Sequence, residues 1–248
     1  MTVISLRRIL QLPAFCGPAS LEIVLSQHGL CVHQKAVVKA AHVTSKHVEI
    51  YGMRLDQLAL AVRKLAPKHV MWAKRNATAQ DIYMLVNTYN LAVGIEWQGV
   101  WTDAELWDPR TQTFDDDIGH YSVVTGINLE EKKLTIQDPD YYYYAKNREF
   151  DIETFEKRWF DTNVVGEDAP DEAKEWMQDY HVLFIVAPQN TVFEPELGLQ
   201  KVRIAPTYKK KTMWERLINF LRFQPLPVIA FHQKTVDPAP SLSQNSLG

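Results

Sequence analysis

The chain has 248 residues, 46% of them hydrophobic and 23% charged, with a net charge of −3 and two cysteines, Cys16 and Cys31. That is enough apolar material for one large domain, or a medium domain with an appendage, and too much for a disordered chain. The mild acidity gives no support to a nucleic-acid partner, two cysteines make no disulfide framework, and no run reaches the roughly 18 apolar residues of a membrane span.

The first ten residues hold two arginines and too short an apolar stretch for a signal peptide, so a cytoplasmic chain is expected. The strip Gln11-Leu12-Pro13-Ala14-Phe15-Cys16-Gly17-Pro18-Ala19-Ser20 follows. Gly17 permits a sharp turn, and Pro18 suits a first helical turn, where its missing N–H has no helical partner. Leu21, Val24, Leu25 and Leu30 share one apolar face, which predicts a helix over 17–28 with Cys16 at its start. Unpaired N–H groups and the positive end of the helix dipole favour a thiolate there. A cysteine on its own is more often a small buried hydrophobe, and Cys31 is read that way. The partners of Cys16 must therefore decide its role.

A second helix is expected over 33–41 and a turn at 51–53. An amphipathic helix follows over 56–65, then a strand over 69–73. Thr78 caps a helix carrying Ile82, Leu85 and Val86, and a strand spans 91–97. Residues 98–118, with the acidic triplet Asp115-Asp116-Asp117, read as a long loop or irregular hairpin. Strands over 120–127 and 133–138, joined by a turn at 128–132, make an antiparallel hairpin. An aromatic run, Tyr141 to Tyr144, precedes a short helix over 151–159, an acidic loop over 164–174 and a last apolar strand over 180–187. Prolines then break up the chain. Lys209-Lys210-Lys211 precedes an amphipathic stretch over 213–223, and 237–248 reads as a disordered tail. The expected division is a domain over 1–188, an appendage over 189–236 available for a partner contact, and the tail.

A thiol acyl-transfer site needs a base for the thiol, an orienter for the base and donors for the oxyanion. His120 opens a strand after Gly119, and Asp138 ends its neighbour. With the turn centred near residue 129, positions 120 and 138 are expected opposite one another, so the carboxylate can hold the imidazole toward Cys16. Gln11, through its side-chain amide, is the candidate oxyanion donor beside the Cys16 N–H. His28 and His33, and His42 and His47, lie five apart, a poor fit to one helical face, and no CxxC is present. The ten glycines form no phosphate-binding loop. No metal or cofactor is expected.

The motifs Pro13-Ala14-Phe15-Cys16-Gly17-Pro18-Ala19-Ser20-Leu21, Gly119-His120-Tyr121-Ser122-Val123-Val124 and Asp138-Pro139 resemble those of papain-like cysteine peptidases of the bacteriocin-leader-processing, double-glycine kind. The resemblance covers about residues 8 to 187. It implies an α+β fold in which the helix bearing the nucleophile packs on an antiparallel sheet bearing the histidine and aspartate. It also implies a peptide or protein substrate, with Cys16 as nucleophile, His120 as base, Asp138 as orienter and Gln11 as oxyanion donor. In that family the glutamine usually lies six residues before the cysteine; here Leu10 holds that place and Gln11 is five before. Pro13 to Gly17 is also similar to phytochelatin synthase, but Pro139-Asp140-Tyr141 lacks the basic residue that family uses for its substrate. Peptide hydrolysis is the leading expectation. Acyl transfer by the same site and peptide binding without catalysis are the alternatives.

Overall fold

The computed structural model describes residues 3–101, 107–108, 113–114, 118–165 and 175–204. Four helices come first: α1 (Cys16–Ser26), α2 (Gln34–Ala40), α3 (Ser45–Tyr51) and α4 (Leu55–Leu65). Every residue of α1 from Gly17 to Leu25 is buried, as befits a helix enclosed on all sides. In α4, Leu58 to Val62 are buried, while Arg63 and Lys64 sit in the last turn, where cations suit the helix dipole. The turn expected at 51–53 is preceded by a helix that periodicity could not reveal. In α3 Val48 is buried, and the Thr44 side chain starts the helix by accepting from the His47 N–H.

The rest is built on strands: β1 (His69–Lys74), β2 (Val93–Trp97), β3 (Trp107–Asp108), β4 (Thr113–Phe114), β5 (His120–Asn128), β6 (Lys133–Gln137), β7 (Asn147–Asp151), β8 (Phe160–Val165), β9 (Glu175–Tyr180), β10 (Val182–Pro188) and β11 (Gln200–Lys201). Helix α5 (Ala79–Tyr83) follows β1, and α6 (Ile152–Arg158) follows β7. Seven strands form one antiparallel sheet in the order β11-β1-β10-β2-β5-β6-β7. Strands β7, β8 and β9 were not anticipated. Residues 160–165 and 175–180 pair with one another, outside the large sheet. The mixed fold of helices and antiparallel sheet is the class expected.

The sheet has a core on each face. Phe184 and Val186 of β10 pack with α1, α2 and α4, while Leu183, Ile185 and Ala187 pack with Ile82, Phe155 and Trp159 on the other side. A strand covered on both faces reads as an unbroken apolar run, as β10 does.

Between β5 and β6 the register shifts. Ile127 pairs with Leu134 and Gly126 with Thr135, but beyond a bulge Val124 pairs with Ile136 and Val123 with Gln137. Continuing the ladder by one residue sets Asp138 opposite Ser122, not opposite His120 as the turn-centred count expects. His120 is the diagonal neighbour, within reach of long side chains. The bulge decides whether the two groups meet. Side chains alternate across a strand, so without the extra residue at 125 His120 would lie on the face opposite Asp138. The Thr125 carbonyl accepts from the Ile4 N–H at 2.8 Å, and Val3 bridges to Gly126.

The boundary expected at residue 188 lies inside the folded unit, which runs from 1 to 205. Strand β11 pairs with β1, which would otherwise be a bare edge, and Phe193 packs edge-on to Trp72. The acidic triplet 115–117, the segments 209–211 and 213–223, and the tail 237–248 lie outside the described residues. So do residues 166–174 of the expected acidic loop. Among the described residues no helix is long and apolar enough to cross a membrane.

Candidate active site

Cys16 is the first residue of α1, so its N–H has no partner within the helix. The preceding Phe15 offers no side-chain cap. The strip before it is closed by a tight turn, Phe15 N–H to Leu12 C=O at 2.9 Å, with Pro13 second and Ala14 third in the left-handed region at φ 61°. Cys16 is half-buried. Cys31, expected to be a small buried or half-buried side chain, is exposed.

On the sheet side, His120 begins β5 and is 4% exposed. Its Nε2 lies 2.8 Å from Asp138 Oδ1, and Cys16 is near enough to raise the pKa of the ring. Burial pulls the imidazole pKa down. The Asp138 charge and hydrogen bond, with lesser contributions from Cys16, outweigh that and push it up to about 10. Asp138 has no exposed surface. Burial raises its pKa, but His120, the Asp140 N–H and Arg148 together hold it at about 2. Both oxygens are engaged: Oδ1 accepts from the Asp140 N–H at 3.0 Å, and Oδ2 from Arg148 Nη1 at 2.8 Å.

Sequence reading missed Arg148. It lies on β7, in Asn147-Arg148-Glu149-Phe150-Asp151, where alternation puts Arg148 and Phe150 on one side and exposes the residues between. That alternation was the available signal. The Arg148 guanidinium lies 3.6 Å from the Tyr143 ring centroid and donates its other arm to the Val100 carbonyl. Arg158 donates to the Gly99 carbonyl. These bonds fix residues 98–101 so that Trp101 meets His120 edge-on, 5.0 Å between centroids. Gly99 has φ 65°, and a Cβ on it would stand 2.5 Å from Trp101 Nε1. Gly119, next to His120, has no room either: a Cβ would stand 2.4 Å from an Asp161 carboxylate oxygen.

The cleft in front of Cys16 has a volume of about 790 Å³. Gln11 and Ala14 line it on the strip side, Trp101, Ile118, Gly119 and His120 on the sheet side, and Asp140 and Tyr142 at the rim. The loop expected over 98–118 and the aromatic run after Asp138 therefore contribute, and so does α3, through Val48 and Glu49. The Gln11 amide oxygen is buried and has no hydrogen-bond partner among the described residues. Three of the four predicted residues, Gln11, Cys16 and His120, line this cleft, and Asp138 lies behind His120 with no exposed surface.

Comparison with known proteins adds the lineage. A model of the Peptidase_C39 like family matches residues 3–166. The chain belongs to that family. Membership makes it a papain-like cysteine peptidase by descent. Among solved structures it is similar to the peptidase domain of Streptococcus ComA, a bi-functional ABC transporter involved in a quorum-sensing pathway. Identity there is 19% over 75% of this chain and 99% of that one, with a TM-score of 0.45. It is also similar to a double glycine motif protease from an AMS/PCAT transporter in complex with the leader peptide, at 16% identity over 75% and 94% of the two chains, TM-score 0.46. No curated protein matches the chain.

Proposed function

We propose that this member of the Peptidase_C39 like family hydrolyses a peptide bond through Cys16, His120 and Asp138, by way of a thioester. One observation supports this most: Cys16 and His120 line the same cleft, and the His120 ring is hydrogen-bonded at 2.8 Å to the buried Asp138. Asp138 is ionised and His120 stays protonated well above neutrality, and the reaction starts from the thiolate form of Cys16 beside that imidazolium. The sulfur attacks the peptide carbonyl, and the carbonyl oxygen takes up the negative charge. The Cys16 N–H and the Gln11 amide donate to that oxyanion. As the C–N bond breaks, His120 gives its proton to the leaving amine and becomes neutral. It then takes a proton from water, whose oxygen attacks the thioester, and the thiolate is expelled to meet the restored imidazolium. Asp138 holds the ring orientation throughout.

The test uses the full chain and a peptide mixture from a digested proteome, with products read by mass. The wild type should yield new termini carrying one added water. Cys16→Ala should yield none, a loss beyond about 10³-fold. Cleavage at the wild-type rate by Cys16→Ala would end this reading, and products joined to an added amine or thiol would replace hydrolysis with acyl transfer.

A further inference from the structure

The strip before Cys16 has one residue fewer between glutamine and cysteine than the resemblance implies, yet Gln11 reaches the cleft. A buried residue on α2 accounts for that. Gln34 is 3% exposed, and its side-chain amide spans the strip: Nε2 donates to the Leu10 carbonyl at 2.9 Å, and Oε1 accepts from the Leu12 N–H at 2.8 Å. The carbonyl of one residue and the N–H of the residue two further on are the two groups that a neighbouring parallel strand would bond. The Gln34 amide therefore takes the place of a strand residue opposite Gln11. On the other side the Gln11 N–H donates to the Pro139 carbonyl at 2.8 Å, directly after Asp138.

Gln11 is thus bonded on both sides like a residue in the middle of a sheet, although residues 4–12 form no strand. Its backbone cannot rotate without breaking one of these bonds, so its side chain is held perpendicular to them. Leu10, in the place the family gives to glutamine, is 40% exposed.

Resting on the peptidase reading, we infer that Gln34 is a positioning residue: its amide clamps the peptide groups flanking Gln11 and so holds the oxyanion-donating amide beside Cys16. The clamp makes no contact with the thiol–imidazole pair. It should matter only when an oxyanion forms, and only through Gln11.

Two reactions separate these roles. Hydrolysis of peptides the wild type cleaves passes through an oxyanion. Alkylation of Cys16 by iodoacetamide does not, and it is followed in a Cys31→Ser background because Cys31 is exposed. Gln34→Leu should slow hydrolysis about 10- to 100-fold and leave alkylation within twofold. In a Gln11→Ala background, Gln34→Leu should cost no further activity, since residues acting as one unit do not add. Gln34→Glu guards against a variant that fails to fold. It is isosteric and keeps the acceptor for Leu12, and its protonated form restores a donor to Leu10. Its hydrolysis relative to wild type should recover as pH falls. Equal losses in hydrolysis and alkylation, or a full further loss in the Gln11→Ala background, would overturn the clamp. So would a Gln11→Ala enzyme as fast as wild type. Cys16→Ala, run alongside, reports separately on the peptidase reading.

Discussion

The two flanks of Cys16 are held by different physics. On the sheet flank, His120, Asp138 and Arg148 form a row of alternating charge with almost no exposed surface, set by strand register. On the strip flank, Gln11 is neutral and borders open cleft, and amide and carbonyl groups hold it. A buried charge needs a fixed partner, because removing either member strands the other at a cost of several kcal/mol. A neutral amide can wait unpaired at lower cost. The charged groups are held through their side chains, whereas Gln11 is held through the backbone of its strip, with its side-chain oxygen left unpartnered among the described residues.

The sharpest way to break that contrast is at the charged end. Asp138→Asn should reduce kcat/KM by about 10³- to 10⁴-fold, since the amide holds the wrong tautomer of its histidine. The pH profile tells more than the rate. In the wild type the alkaline limb should lie near pH 10, where His120 loses its proton. Without the carboxylate, burial alone acts against the charged ring, and the limb should move well below 10. A limb that stays in place would show that Asp138 does not sustain the imidazolium.

Gln11→Ala should cost about 10²- to 10³-fold, the usual effect of deleting one oxyanion donor, and should leave both limbs of the profile where they were. A shifted limb would mean the two flanks are electrostatically coupled, against the contrast drawn here.

Arg148→Gln tests the far end of the charged row, with an expected loss of about 10-fold in kcat/KM. Its clearer readout is stability in acid. The folded-state pKa of Asp138, about 2, lies below its ordinary value of 3.8. The stabilisation is therefore complete above about pH 3.8 and lost as pH falls toward 2. Arg148 is one of the groups depressing that pKa, so the variant should have a lower Tm than the wild type above about pH 4, and the gap should narrow as pH falls from 3.8 toward 2. The smallest effect is expected on the strip. Ala14→Gly relieves a left-handed alanine but loosens the unfolded chain, and should stabilise by at most about 1 kcal/mol.

Much of this was legible in the sequence. Cys16 announced itself through Gly17 and Pro18 at a helix start, and alternation marked the strands bearing His120 and Asp138. The count across their hairpin reached the right pair through the wrong register. It centred the turn on residue 129, whereas the pairs next to the turn centre between 130 and 131, and it passed over the bulge at Thr125 that Gly126 adjoins. Gln34 and Trp101 were illegible for another reason. Each acts through a contact between segments far apart in the chain, which neither periodicity nor local turn chemistry records. Helix α3 was too short and too exposed to show a period, yet it walls the cleft.

The place of β10 also bears on how the molecule is assembled. Strands β1 and β2, nineteen positions apart in sequence at their nearest ends, meet only through β10, which begins at Val182. Until that late strand emerges from synthesis, β1 has neither of its sheet partners and β2 has only β5. Pairing across such separations is slow. A fragment ended at residue 166, where the family match stops, would retain Cys16, His120 and Asp138 and lack the strand that closes the sheet. It should self-associate through its unpaired edges rather than complete the fold.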